Sequence, residues 1–120
     1  MANYAIKHRG EFERMEGSGD CTWLLARKAL GTQAFGYNLV EIAPSGQIPE
    51  HDEGQVELYA ILEGEAVMLL DGEEHPAPAG TFASIEPPAT RQILNRSDAK
   101  VVALLIGVEP EGGYEPMSWG

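Results

Sequence analysis

The sequence predicts an all-β fold, a barrel or sandwich of short strands. Fourteen glycines and eight prolines are spread along the 120 residues without a repeat. This distribution suits many short strands joined by turns better than a few long helices. The 13.0 kDa chain is 43% hydrophobic, enough for one core. We therefore expect a single domain over 1–120, with a core of about 22–107, an N-terminal arm of 1–20 and a C-terminal tail of 108–120.

The strands are predicted in chain order from alternating polarity and from the residues that stop them. Segment 22–30 suits a short helix or a strand, and we predict a strand because Gly31 stops it and strand-like segments follow. Further strands are predicted over 34–44, 56–62, 65–70, 81–85, 90–94 and 101–107.

The turns between these strands are marked by glycine and proline. Asp71-Gly72 predicts a tight turn between two strands. The proline-rich segment 74–80 is predicted as another turn region, and Pro87-Pro88 interrupts the chain before 90–94. The apolar run 101–107 indicates a strand that is buried on both faces.

Charge and composition exclude several classes of partner. Eight basic residues among nineteen acidic ones give a net charge of −11, which argues against nucleic acid and against anionic membrane surfaces. The longest apolar run, 101–108, is too short to span a bilayer, and the N-terminus lacks the apolar core of a signal peptide. Cys21 is the only cysteine, so no internal disulfide can form. These features predict a cytoplasmic protein.

A polar cluster precedes an apolar stretch in the middle of the chain. Residues of one parity share a face of a β-strand. If no bulge intervenes, one face carries an imidazole and two carboxylates followed by a phenol and an aliphatic side chain. The five residues are His51, Glu53, Glu57, Tyr59 and Ile61.

The aromatic residues in the first third of the chain have two possible roles. Trp23, Phe35 and Tyr37 could line the barrel, but aromatic side chains in strands more often pack in the core. We predict core packing for them.

The polar cluster matches the first of two motifs of a known family. That motif has two histidines one residue apart, then a glutamate and a glycine. Here His51, Glu53, Glu57 and Gly64 occupy these four places.

The second motif is a glycine, a short strand, a proline turn, a histidine and an asparagine. Gly80, Pro87-Pro88, Arg91 and Asn95 occupy its places. Over about residues 35–106, the chain therefore resembles the cupins, and especially a subgroup of small bacterial cupins without an assigned function. The resemblance implies a double-stranded β-helix, the jelly-roll barrel, but no particular substrate.

Two positions depart from the metal-binding members of that family. In those cupins two histidines, the glutamate and the second-motif histidine hold one divalent ion. This chain keeps His51 and Glu57 but has Glu53 and Arg91 in the other two places. Arginine stays protonated and has no lone pair to donate, so Arg91 cannot be a metal ligand.

Two interpretations of this cluster remain open at the level of sequence. In one, His51, Glu53 and Glu57 hold Fe, Mn, Zn or Ni, and Arg91 turns aside or binds an anion. In the other there is no metal, and Arg91 pairs with Glu57, Glu53 or both. Buried carboxylates need one of these counter-charges. We favour the metal-free interpretation.

The favoured function is that of a small-molecule binding protein without an assigned specific ligand. Its predicted pocket consists of His51, Glu53, Glu57, Tyr59 and Arg91, with the guanidinium recognising an anionic ligand. The alternative is a metal-dependent enzyme of the dioxygenase, isomerase or decarboxylase type that uses the imidazole and both carboxylates as ligands.

The chain is also predicted to form a homodimer, because cupins commonly dimerise through sheets or terminal strands. The apolar residues expected at the contact are Tyr4 and Ile6 near the N-terminus and Tyr114 and Trp119 in the C-terminal tail.

Overall fold

The computed structural model describes residues 3–49 and 54–108 of the chain. Within these ranges the chain forms nine strands, one short α-helix and one 3-10 turn over Arg9–Glu11. The strands are β1 (Arg14–Gly17), β2 (Cys21–Leu24), β3 (Gly36–Ile42), β4 (Val56–Glu63), β5 (Glu65–Leu70), β6 (Glu73–Pro78), β7 (Phe82–Ile85), β8 (Arg91–Leu94) and β9 (Val101–Val108); the helix is α1 (Ala26–Leu30).

The strands form two sheets in which all neighbouring strands are antiparallel. The larger sheet has six strands in the order β1-β2-β3-β9-β4-β7, and the smaller has three in the order β6-β5-β8. β9, the last described strand, pairs with β3 on one side and with β4 on the other. The predicted all-β jelly-roll fold is confirmed.

The hydrophobic core lies between the two sheets. Every second residue of each strand points inward, so Val40 and Ile42 of β3 meet Met68 of β5 and Ile93 of β8 in one buried cluster. The first residues of β9 are buried on both faces, as the continuous apolar run predicted. The described residues contain no helix that is both long and apolar enough to cross a membrane.

The predicted turns have the backbone conformations that their residues favour. Asp71 and Gly72 have φ values of +49° and +81°, a pair typical of the type I′ turn that joins two hairpin strands. Gly64, between β4 and β5, has φ +85°, and a Cβ there would lie 2.5 Å from the carbonyl oxygen of Lys100. Glycine is therefore required at this corner by both its conformation and the space around it.

The strand predicted over 22–30 is wrong in its second half. Cys21–Leu24 does form β2, but the chain then leaves the sheet and Ala26–Leu30 forms α1. Alanine, arginine, lysine and leucine are all strong helix formers, and Gly31 ends the helix with φ +80°. Local propensity therefore decides the conformation where sheet pairing stops.

The turn region predicted over 74–80 is wrong for 74–78 and correct for 79–80. Glu73–Pro78 forms β6, which pairs along its whole length with β5. Pro76 and Pro78 are accommodated because β6 is an edge strand. In an edge strand, alternate N–H groups point away from the neighbouring strand and form no bond within the sheet. Proline can occupy those positions without the loss of a hydrogen bond.

Part of the predicted N-terminal arm belongs to the larger sheet. Arg14–Gly17 forms β1, the outermost strand, and pairs with β2. The described residues ahead of it are exposed except for the half-buried Phe12, and Tyr4 and Ile6 keep 77% and 85% of their surface accessible.

Candidate functional site

A buried ion pair connects the two sheets. Glu57 stands near the start of β4 in the larger sheet, and Arg91 begins β8 in the smaller one. Arg91 Nη1 donates to Glu57 Oε1 over 2.8 Å. Arg91 is 0% exposed and Glu57 only 8% exposed, so water scarcely competes for this pair. The pairing of Arg91 with Glu57 that the metal-free interpretation expected is present.

The guanidinium of Arg91 is held by backbone carbonyls as well. Its Nε and Nη2 donate to the carbonyl oxygen of Ala89, over 3.2 and 3.0 Å. Its Nη1 also lies 3.4 Å from the carbonyl oxygen of Gln55. These bonds satisfy the donors of a buried arginine and fix the plane of the guanidinium against Glu57.

Tyr59 contributes a second bond to the same carboxylate oxygen. Its hydroxyl donates to Glu57 Oε1 over 3.2 Å, and the residue is fully buried. Glu57, Tyr59 and Ile61 thus share the inward face of β4, as their odd numbering predicted. One buried oxygen receives a charged donor and a neutral one, which compensates the desolvation of the carboxylate.

Next to this ion pair lies an open cavity of about 580 Å³, whose described strand residues all belong to the larger sheet. Glu57 lines it, so the carboxylate forms the link between the buried pair and the cavity. A cavity of this size, with apolar walls and few polar groups, is typical of small-molecule sites. The lining residues are aromatic or apolar (Trp23, Tyr37, Ile48, Pro49, Leu105), polar or charged (Arg27, Asn38, Gln55, Glu57) and glycine (Gly36, Gly107).

The structure places the predicted pocket residues at different depths. Glu57 lines the cavity, whereas Tyr59 and Arg91 are fully buried behind it and bond to its carboxylate. His51 and Glu53 lie outside the described residues. The residues on either side of 50–53, Pro49 and Gln55, both line the cavity.

Two of the three early aromatic residues line the cavity. Trp23 lines it and also packs against the core. Tyr37 lines it as well, and its hydroxyl is 2.7 Å from Thr32 Oγ1. Phe35 is 43% exposed, with its ring centroid 5.3 Å from that of Tyr37, so the core-packing prediction is wrong for Phe35.

Three polar lining residues were not identified from the sequence. Asn38 has the same parity as Val40 and Ile42, so strand alternation alone could have placed it inward. Gln55 follows the polar cluster directly and carried no separate signal. Arg27 was missed because the sequence placed it in a strand rather than in α1.

The described part of the family's metal position does not fit a divalent ion. Arg91 stands in the place of the histidine ligand and donates to Glu57 Oε1, where a cation would otherwise bind. A guanidinium has no lone pair, and its charge opposes a second cation nearby. Within 3–49 and 54–108, no three His, Cys, Asp or Glu side chains come together as a possible metal site.

Comparison with known families decides the classification. Residues 38–107, more than half of the chain, match the sequence model of the cupin domain. The chain belongs to the cupin family. No curated protein matches the sequence of this cupin at a significant level.

Solved structures similar to this cupin include several with different described activities. A sugar phosphate isomerase of the cupin superfamily from Silicibacter pomeroyi is 27% identical, with a TM-score of 0.80 over 88% of this chain and 76% of that one. A cupin protein from Bacteroides fragilis is 24% identical, with a TM-score of 0.79 over 99% and 94% of the chains. A predicted oxalate decarboxylase from Thermotoga maritima is 23% identical, with a TM-score of 0.75 over 88% and 99%.

Proposed function

We propose that this cupin is a small-molecule binding protein in which Arg91, instead of a metal ion, provides the counter-charge to Glu57. The observation that carries this proposal is the buried ion pair, with Nη1 and Oε1 2.8 Å apart and the arginine fully buried. An opposite charge fixed by the fold supports an ionised glutamate without any ion from solution. The carboxylate is then a fixed negative group at the cavity wall.

The composition of the cavity supports a ligand that is partly apolar and partly polar. Trp23 and Tyr37 offer aromatic surface, while Asn38, Gln55 and Glu57 offer hydrogen-bonding groups. A carboxylate acceptor selects ligand groups that donate, such as hydroxyls or amines.

His51 and Glu53 are proposed to complete the polar side of the pocket. They stand in the short segment 50–53, and Pro49 and Gln55, which flank that segment, both line the cavity.

Metal analysis tests the proposal directly. The protein is purified without a chelator or an affinity tag, incubated with Fe(II), Mn, Zn or Ni, desalted, and analysed by mass spectrometry for metal content. We expect far less than one equivalent of any of these metals. Stoichiometric metal that disappears in Glu57→Ala would overturn the metal-free proposal.

Restoring the family's histidine gives a complementary test. Arg91→His removes the guanidinium and supplies an imidazole, so we expect divalent-metal affinity to rise by about tenfold or more. Arg96→His, on the protein surface, is the matched control and should leave the affinity unchanged. An Arg91→His protein that folds but binds metal no better would contradict our assignment of position 91.

An enzymatic function is the second candidate, and the likeness to the sugar phosphate isomerase supports it. In this version, His51, Glu53 and Glu57 would hold a metal, and the protein would be a cupin enzyme of the isomerase, decarboxylase or dioxygenase type. Proton NMR with phosphorylated sugars, in the presence and absence of added metal, separates the candidates. Turnover that requires metal and is lost in His51→Ala would favour the enzyme; binding without turnover would favour the binding protein.

A homodimer is also proposed. Among the described residues, Tyr4 and Ile6 expose large apolar surfaces on the N-terminal arm, which a second copy of the chain would cover. Light scattering after size-exclusion chromatography should give a mass of two chains, and Tyr4→Ser with Ile6→Ser should shift it toward one. Tyr114 and Trp119, predicted at the same contact, lie outside the described residues.

A further inference from the structure

We infer that Arg27 is the anion-recognition residue of the cavity and that the ligand carries a phosphate or carboxylate group. The inference rests on the proposed function, since it assumes that the cavity binds a small molecule. It replaces the sequence-based expectation that Arg91 recognises the anion.

Arg91 is unsuited to that role because the protein already uses its donors. Its Nε, Nη1 and Nη2 all donate to Glu57 or to backbone carbonyls, and it has no exposed surface. Of this ion pair, Glu57 and not Arg91 lines the cavity, and a carboxylate does not attract an anion. The anionic group of a ligand must therefore be recognised elsewhere on the wall.

Arg27 is the described basic residue that lines the cavity. Its Nη1 donates to the carbonyl oxygen of Thr32 over 2.9 Å, a neutral partner that orients the side chain without cancelling its charge. No carboxylate pairs with it within 3–49 and 54–108. Of the seven other lysines and arginines in these ranges, all but Lys7 of the exposed N-terminal arm are paired with a glutamate: Arg9, Arg14, Lys28, Arg91, Arg96 and Lys100.

The uncompensated charge is notable in a protein with a net charge of −11. The field around such a protein repels anions from most of its surface. A guanidinium at a cavity wall provides a local exception, and its planar set of donors matches phosphate and carboxylate oxygens.

Arg27 and Glu57 lie on separate elements of the cavity wall. Arg27 lies on α1, directly after β2, whereas Glu57 lies on β4, and β3 and β9 come between these strands. Because α1 packs against β3, two strand spacings separate it from β4, roughly 10 Å in a flat sheet. The ligand therefore carries its anionic group at one end, near Trp23, and hydroxyl or amine donors at the other, with a body that contacts Tyr37 and Leu105 between them.

Quenching of Trp23 fluorescence by iodide tests this inference without knowledge of the ligand. The chain contains two tryptophans, so Trp119→Phe leaves Trp23 as the only emitter. Arg27→Gln in this background should lower the Stern–Volmer constant for iodide by about twofold or more, because the cavity no longer attracts anions. Quenching by neutral acrylamide should stay the same, which excludes a change in exposure.

Lys28→Gln is the matched control. It makes the same change in net charge on the same helix, but Lys28 pairs with Glu13 and does not line the cavity. It should leave iodide quenching unchanged, and Arg27→Lys should retain most of it. An equal loss in Arg27→Gln and Lys28→Gln, or no loss in Arg27→Gln, would overturn the inference.

Competition then distinguishes the two kinds of anion. Inorganic phosphate and acetate are added separately at constant ionic strength, and protection of Trp23 from iodide is measured. Protection by phosphate indicates a phosphorylated ligand, and stronger protection by acetate a carboxylic acid; both should be lost in Arg27→Gln. Protection by neither would overturn the inference. Metal analysis and iodide quenching are separate measurements. Stoichiometric metal would overturn the proposed metal-free pocket, whereas unchanged iodide quenching in Arg27→Gln would overturn the role of Arg27.

Discussion

Two arginine–glutamate pairs on neighbouring parts of the chain differ in almost every respect except composition. Arg91, at the start of β8, pairs with Glu57 inside the barrel, where the two side chains are 0% and 9% exposed. Arg96, just after β8, pairs with Glu74 on the surface, where the corresponding values are 57% and 51%. The surface pair makes two hydrogen bonds, of 2.9 and 2.5 Å, and the buried pair makes one, of 2.8 Å.

The comparison shows that solvent, more than bond count, determines what such a pair contributes. When the surface pair breaks, water solvates both charges and the loss is small. When one member of the buried pair is removed, the other is left charged in a site that water barely reaches. The same substitution is therefore expected to cause a large loss of stability in the buried pair and a small one in the surface pair.

The largest effect is expected from Arg91→Met, which keeps side-chain length but removes the charge. Glu57 then lacks its buried counter-charge, and the free energy of unfolding should fall by about 3–5 kcal/mol. Urea denaturation followed by circular dichroism measures this loss. A loss below about 1 kcal/mol would mean that water reaches Glu57, and the contrast with the surface pair would disappear.

A double variant sharpens the assignment of that loss. In Arg91→Met with Glu57→Gln, no charge is left unpaired, so the double variant should be more stable than the sum of the single losses predicts, by about 2 kcal/mol or more. A double-mutant cycle in urea measures this coupling. Strict additivity would show that the two side chains act independently, against the 2.8 Å contact.

A smaller effect is expected from Tyr59→Phe, which removes a neutral donor from the same carboxylate. The free energy of unfolding should fall by about 1 kcal/mol, the usual net contribution of one buried hydrogen bond. Comparison with Arg91→Met under identical conditions separates the neutral from the charged contribution. A loss as large as that of Arg91→Met would indicate that packing of the ring, rather than charge, dominates this region.

The surface pair should respond weakly to the matched substitution. Arg96→Met is expected to lower the melting temperature by no more than about 2 °C, and added salt should reduce even this difference. Differential scanning calorimetry at low and high salt measures both. A large loss that added salt does not reduce would mean that the Arg96–Glu74 pair behaves like the buried Arg91–Glu57 pair, against the expected difference between them.

The smallest effect concerns the pH dependence of the same pair. The hydrogen bond and charge of Arg96 hold the pKa of the Glu74 carboxyl below its usual value. A carboxyl with a lowered pKa in the folded state stabilises the protein above its unfolded pKa and loses this contribution as the pH falls through the folded one. The stability difference between wild type and Arg96→Met should therefore be present at neutral pH and vanish in acid, as thermal melts across this range would show. A difference that persists in acid would argue against an ionic origin.

Strand alternation and turn chemistry made much of the barrel predictable. The tight turn at Asp71-Gly72 and the corner at Gly64 need positive φ values that few residues adopt. The residues at these positions therefore make the turns predictable from sequence. Alternation placed Glu57, Tyr59 and Ile61 on one inward face. Arg91 occupies the place where metal-binding cupins have a histidine ligand. Because arginine is positively charged, an ion pair with Glu57 was expected there.

What escaped prediction depends on contacts between distant segments. Pro76 and Pro78 indicate a turn locally, and only the edge position of β6 allows a strand there. Whether Arg91 faces a ligand or lies behind Glu57 depends on its bonds to Ala89 and Gln55, which no local pattern reveals. The position of Arg27 at the cavity required knowing that the chain leaves the sheet after β2.

The edge formed by β6 limits how the molecule can associate with itself. An exposed strand edge is a template on which another chain can add a strand, and such addition leads to open-ended aggregation. Pro76 and Pro78 cannot donate to an added strand, and the exposed Glu73 places a negative charge at the same edge. Self-assembly by strand addition is thereby discouraged at this edge of the smaller sheet.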